Sequence, residues 1–404
     1  MNYQHLIDSI QLALDTLDTS NKNEDYMIQI GPIDKPLKWG GDNVSNYFDA
    51  LNIFVKFNKN FTTHFSQKYL EKFFTRLLVD LRGNNNVTIE VLKLHLKNLT
   101  DMPIKKYFVI RELYGTMYQT ATPLSLGPFT IFNKNIHHEH IFSKFPYSRE
   151  QIEDMLDFKQ LICISIEVSA KEEGKAIELA DIFFDKFESI CSFILEGMGG
   201  NKKSIGVFNY DNYRVNHCVV INETNIQSNM TSSGAIDQVN LTTIKLDNEI
   251  SGYDRLWEWI GNDKLTDIQS RIINAIIWTG KANKEKDLSI AFIQYIIALE
   301  SLLQYQKKNE LVSPSITSRM AELTAFIIGQ NLEERIETEN RVKKLYTLRS
   351  GIAHGTNVRV SNGDIRDAWW LLYRLIHILL NDDEFKYFQT IEELNTWVKN
   401  KRYS

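Results

Sequence analysis

The 404-residue chain reads as α+β: an amino-terminal mixed α/β region around a mainly antiparallel sheet, then an all-α carboxy-terminal bundle. Two observations carry that expectation. Between about 106 and 246, short β-rich runs alternate with turn residues, whereas after about 250 they vanish and apolar residues recur at helical spacing. The length suits two or three domains, and 43% hydrophobic with 24% charged residues supplies ordinary cores. The expected division is an α+β sensor or regulatory region over 1–255, with an internal break near 83–105, a helical bundle over 256–385 and a short polar tail over 386–404.

In chain order, 3–17 carries a helical apolar rhythm, and 64–82 repeats it through Phe65, Leu70, Phe73, Phe74, Leu77 and Leu78. Gly83 and Asn84-Asn85-Asn86 stop that helix. Strands are predicted at 107–110, 113–118, 129–132 and 161–170, with shorter ones at 205–209, 216–222 and 240–246. Gly174 to Leu195 forms an amphipathic helix between them. A helix opening at Ile268 begins the bundle, and Leu288 to Leu303, apolar on most sides, is its expected central member. Ser318–Ile328, Glu333–Arg349 and Asp364–Leu380 complete it, and 381–404 reads as a short helix or loose tail.

Composition excludes several classes. Gly (19) and Pro (7) are too few for collagen-like or proline-rich chains. Three widely spaced cysteines, Cys163, Cys191 and Cys218, give neither a disulfide scaffold nor a cysteine zinc site and read as buried apolar residues. The amino terminus lacks a basic segment and carries Asp8 among its apolar residues, unlike a signal peptide. No window approaches a membrane span, so a soluble, cytoplasmic chain without a membrane partner is expected. The net charge of −5 makes no overall magnet for nucleic acid, but 341–374 holds seven Lys and Arg against two Asp.

Two tempting motifs fail on spacing. Gly197-Met198-Gly199-Gly200-Asn201-Lys202-Lys203-Ser204 has Lys202 where a phosphate-binding loop needs its second glycine. His137-His138-Glu139-His140 places ligands on adjacent residues that point apart, and only His138 and His140 could share a side, so a solvated loop is expected and no metal or other cofactor. His377 lies in an apolar run and reads as a hydrogen-bonded core or interface residue.

One constellation stands out in the basic stretch, Lys343-Lys344-Leu345-Tyr346-Thr347-Leu348-Arg349-Ser350-Gly351-Ile352-Ala353-His354-Gly355. Histidine exchanges protons near neutral pH, and arginine is a permanent forked donor to phosphate. Together they could cleave RNA without metal, one group taking the 2′-OH proton and a protonated group releasing the 5′-oxygen. Five helical steps, however, place Arg349 and His354 about 140° apart, so both face one site only if the helix bends or ends near Gly351 or a second chain completes the site. Tyr346 can stack on a base or pack, and Lys344 is a candidate phosphate contact.

Ile297-Ala298-Leu299-Glu300-Ser301-Leu302-Leu303, Ser318-Arg319-Met320-Ala321-Glu322-Leu323 and the block 343–355, in that order before a closing Trp/Leu-rich helix, resemble the Apea-like branch of the HEPN superfamily over about 265–380. The resemblance implies a helical bundle that pairs with a second copy and, in many members, metal-independent endoribonuclease activity in antiviral defence or as a toxin. It implies Arg349 and His354 as the catalytic pair, meeting those of the partner in a cleft. Ser350 stands where the family commonly has a polar residue, often Asn, and Glu300 and Arg319 match polar positions read as structural. The implied partners are RNA and a second copy of the chain, with a protein or ligand trigger at the amino-terminal region. Non-catalytic members used for dimerisation, RNA or nucleotide binding, or docking supply the alternative reading.

Overall fold

The computed structural model describes residues 2–17, 27–31, 36–82, 87–137, 139, 158–198, 204–208, 210, 214–221, 226–233, 238–305, 316–355 and 358–403. Residues 199–203, His138 and His140 therefore lie outside the described residues, as do the side chains of His217 and Cys218. The chain is α+β, with a small antiparallel sheet ahead of a helical carboxy-terminal region. By compactness it divides into one unit of Met1–Val109 with Glu167–Ile182 and a second of Ile110–Ile166 with Phe183–Ser404. This differs from the expected boundary near 255, because Phe129, Phe184 and Phe187 share a buried aromatic cluster that also holds Trp257. Aromatic burial of this size outweighs the change in sequence pattern.

The first unit is mostly helical: α1 (Tyr3–Asp15), α2 (Val44–Phe57), α3 (Lys59–His64), α4 (Gln67–Leu81) and α5 (Ile89–Thr100), with a hairpin of β1 (Met27–Ile30) and β2 (Leu37–Gly40). Side-chain oxygens of Asn2, Asn58, Ser66 and Thr88 cap the amino ends of α1, α3, α4 and α5. Its core gathers Leu6, Ile10, Trp39, Phe54, Phe74 and Leu78, and the Trp39 indole donates to Ala13 O at 2.8 Å.

The sheet runs β3 (Lys105–Glu112), β7 (Ile162–Ala170), β6 (Phe129–Asn133), β5 (Leu124–Leu126) in spatial order, and β6 is antiparallel to both neighbours. The run 113–118 shortens to β4 (Thr116–Met117), because the Leu113 and Tyr114 amides bond to Ile162 and Gly206 on different partners. After α6 (Glu173–Gly197), the strand expected over 205–209 is reduced among the described residues 205–208 to a single bridge of Gly206 with Tyr114, since the Val207 and Phe208 amides donate to the Glu188 carboxylate instead. A hairpin of β8 (Arg214–Ile221) and β9 (Ile226–Ser233) follows. The strand expected over 240–246 stops at β10 (Val239–Asn240), where Asn240 Oδ1 accepts from Thr242 and turns the chain.

The bundle comprises α7 (Tyr253–Ile260), α8 (Asp267–Lys284), α9 (Leu288–Leu303), α10 (Ile316–Ile328), α11 (Leu332–Ala353), α12 (Asn362–Asn381) and α13 (Ile391–Tyr403). Reciprocal capping boxes start α8 (Thr266 with Gln269) and α12 (Ser361 with Asp364). The helix α8 packs on α9 and α10 on α11, while α12 lies against α8, α9 and α10. A side chain on Gly280 would put its Cβ 1.8 Å from Ser189 O, so only glycine lets α8 approach α6 this closely. Of the short helix or loose tail expected over 381–404, the helix forms as α13, because Ile391, Leu394 and Val398 make a buried stripe within a polar composition. Among the described residues no helix is long and apolar enough to cross a membrane.

Candidate active site

The helix α11 does not end at Arg349 or bend at Gly351 but continues to Ala353. His354 is its carboxy-terminal cap, with its amide bonded to Ser350 O at 3.0 Å, and Gly355 follows at φ +66°, the left-handed conformation that terminates a helix. His354 is exposed. Arg349 thus lies within the helix and His354 at its capping position five residues on, a spacing that sets the two about 140° apart around the axis.

On one side, the Arg349 guanidinium lies 3.6 Å from the Glu300 carboxylate of α9. The side chains are 43% and 21% exposed, so the pair borders solvent rather than the core. One turn back, Tyr346 is buried, and its hydroxyl contacts Met320 Sδ at 2.9 Å beside Glu300. Burial, with the negative charge of Glu300 next, pushes the Tyr346 phenol well above its ordinary range, so it remains a neutral hydroxyl. Its ring is not placed to stack on a base; of the two roles read from the sequence, packing is the one its position supplies.

Adjoining it at Tyr346 lies an open groove of about 570 Å³ lined by Thr317 and Ser318 of α10 and by Lys343, Tyr346, Thr347, Ser350, Gly351 and His354. Its α11 members recur every three or four residues and form a single stripe. The groove collects Ser350, Tyr346 and His354 of the sequence-derived candidates; Arg349 and Lys344 are not among its lining residues. Lys344 instead pairs with Asp364 at 3.5 Å, one helical step away from the stripe that holds Lys343. Lys343, Thr317 and Ser318 were not singled out from the sequence. The only signal for Lys343 is its spacing of seven residues before Ser350 and eleven before His354.

The remaining charges are largely committed. Arg319 donates to Tyr305 O at 3.0 Å and lies over its ring, consistent with a structural position. Arg341 bonds Glu337 at 2.6 Å, and with Arg374 it flanks the Trp370 ring at 5.2 and 5.1 Å. The net local charge read from 341–374 is therefore distributed around two helices rather than gathered in one patch. His377 is half-buried beside Tyr373 at 6.0 Å between ring centres. His137 of the histidine cluster is buried, its Nδ1 accepting from the Asn133 amide and its Nε2 2.9 Å from Thr120 O, so neither nitrogen is open to a ligand. Cys163 and Cys191 are buried, and burial pushes the Cys163 thiol up to about 12, away from nucleophilic use.

No known family, curated protein or solved structure matches this chain.

Proposed function

We propose that the chain is a metal-independent endoribonuclease of HEPN type that works as a homodimer in a defence or toxin setting. The observation that carries the reading is the pairing of a solvent-bordering guanidinium anchored by Glu300 with an exposed imidazole at the end of the same helix. Within one protomer the two face different sides, so the site is completed by a second copy that brings its own pair across a shared cleft. The three ordered sequence blocks around Glu300, Arg319 and 343–355 supply the independent support.

In that cleft one imidazole removes the 2′-OH proton, and the oxygen attacks the adjacent phosphorus. The pentacoordinate phosphorane carries extra negative charge, which the Arg349 guanidinium neutralises through paired N–H donors. The second imidazole of the cleft, in its protonated form, gives its proton to the departing 5′-oxygen, which completes the step and leaves a 2′,3′-cyclic phosphate and a 5′-hydroxyl. DNA lacks the attacking hydroxyl and is not cut.

Purified protein is expected to cleave RNA in EDTA to cyclic-phosphate ends, with each of Arg349→Ala and His354→Ala reducing the rate by at least about 10²-fold while the melting temperature is kept. Undiminished cleavage by either variant removes the assignment. Tight RNA binding without turnover by the wild type would favour the non-catalytic HEPN reading instead.

A further inference from the structure

We propose that the groove beside His354 binds the ribose–phosphate backbone of single-stranded RNA several nucleotides from the cut linkage, with Lys343 as its far anchor. The inference rests on the ribonuclease reading for the identity of its ligand and goes beyond it in naming the residues that hold the strand.

The lining decides the chemistry. Among the described residues it offers one ammonium, one imidazole and, besides the buried Tyr346 phenol, four hydroxyls from Thr317, Ser318, Thr347 and Ser350, and it includes no carboxylate. Such a surface suits an anion flanked by hydroxyl groups, which describes a ribose–phosphate chain. Among the described residues its lining includes no carboxamide to read a base edge, and its Tyr346 ring is buried, leaving the His354 imidazole as its one exposed ring. Recognition is therefore through the backbone and largely blind to sequence. Gly351, having no side chain, leaves room in the middle of the stripe.

Length follows from the helix. Lys343 and His354 are eleven residues apart, about 16 Å along α11. Phosphates recur about every 3.4 Å along a stacked strand and farther apart in an extended one, so the groove spans several of them. Lys343 is shared with Glu339 one turn away, and an arriving phosphate competes with that carboxylate. Thr347 adds selectivity for RNA: its hydroxyl hydrogen is committed to Lys343 O at 3.0 Å, so its lone pairs accept from a ribose 2′-OH.

The test measures binding without turnover, in the full-length Arg349→Ala protein, which keeps the groove intact. Fluorescence anisotropy with labelled 12-nucleotide RNAs of several sequences reports the affinity. Adding Lys343→Ala is expected to weaken binding about three- to tenfold for every sequence and to make the log–log salt slope shallower by about 0.7. Glu339→Gln, which frees Lys343, should tighten binding, and Thr347→Val should narrow the preference for RNA over the same DNA sequence. Lys386→Ala, an equal charge loss far along the chain, serves as the reference and should leave affinity and slope nearly unchanged. Equal effects of Lys343→Ala and Lys386→Ala, or none from Lys343→Ala, would overturn the groove assignment even if wild-type protein cuts RNA. Lys343-dependent binding by a wild-type protein that never cleaves would instead keep the groove and remove the nuclease.

Discussion

Two carboxylate–cation pairs of the same unit differ in one respect that decides their use. Glu188 is fully buried and accepts from two backbone amides and from Lys284 at 3.2 Å. Glu300 is 21% exposed, and its partner Arg349 is 43% exposed, with Tyr346 of α11 beside them. A closed pair whose carboxylate is held by three donors cannot exchange a partner without leaving a buried charge, so it holds structure. A half-open pair loses little when a phosphate replaces one member, so it can hold a catalytic group in place and still release it to a substrate.

The sharpest way to break the comparison is complementation. Arg349→Ala and His354→Ala proteins are each expected to be inactive, but mixed one to one they should recover about a quarter of wild-type cleavage. Half of the dimers are then mixed, and their shared cleft keeps one Arg349 and one His354, from opposite chains, which is half of its catalytic groups. No recovery after confirmed subunit exchange would mean that Arg349 and His354 act from the same chain.

Removing Glu188 probes the closed pair. Glu188→Ala leaves Lys284 and two amides without their acceptor and is expected to cost about 3–5 kcal/mol, read as a large fall in melting temperature. Glu300→Gln probes the open one and should behave in the opposite sense. It is expected to lower kcat about tenfold through a less well-held Arg349, while stability changes by less than about 1 kcal/mol. A melting temperature as depressed as that of Glu188→Ala would place Glu300 among the structural carboxylates.

The smallest effect concerns Asp364 at the start of α12. The Ser361 hydroxyl, working against partial burial and aided by the Ser361 amide and Lys344, holds its carboxyl below the usual carboxylate range. A folded-state pKa lowered in this way stabilises the protein above the unfolded value, and that stabilisation is lost as pH falls through the folded one. Asp364→Asn should therefore melt below wild type near neutrality by the equivalent of about 0.5–1 kcal/mol. The gap should close as the pH is taken below about 4.

Much of the fold was legible from the residues. The helix Leu288–Leu303 appears with its expected ends, since Asp287 caps it and its apolar residues continue round most of its surface. The helices expected to open near Ile268 and Asp364 do so, each started in space by a capping box, at Thr266 and Ser361. Other elements were not legible. The strand Ile226–Ser233 is largely polar and carries no alternation, and α13 hides three apolar residues among charges. The expected strand over 205–209 was lost to a competitor 20 residues away, the Glu188 carboxylate.

Local pattern, then, determined the two-part α+β character, the succession of bundle helices and the placing of Arg349 and His354 on different sides of α11, because spacing along one helix fixes relative direction. Packing decided the rest: that Arg349 meets Glu300, that Tyr346 turns inward, and that Lys343 rather than Lys344 borders the groove. A sequence fixes angles around each helix axis but not which neighbour each face will meet, and one step of about 100° separates a groove lysine from a surface ion pair.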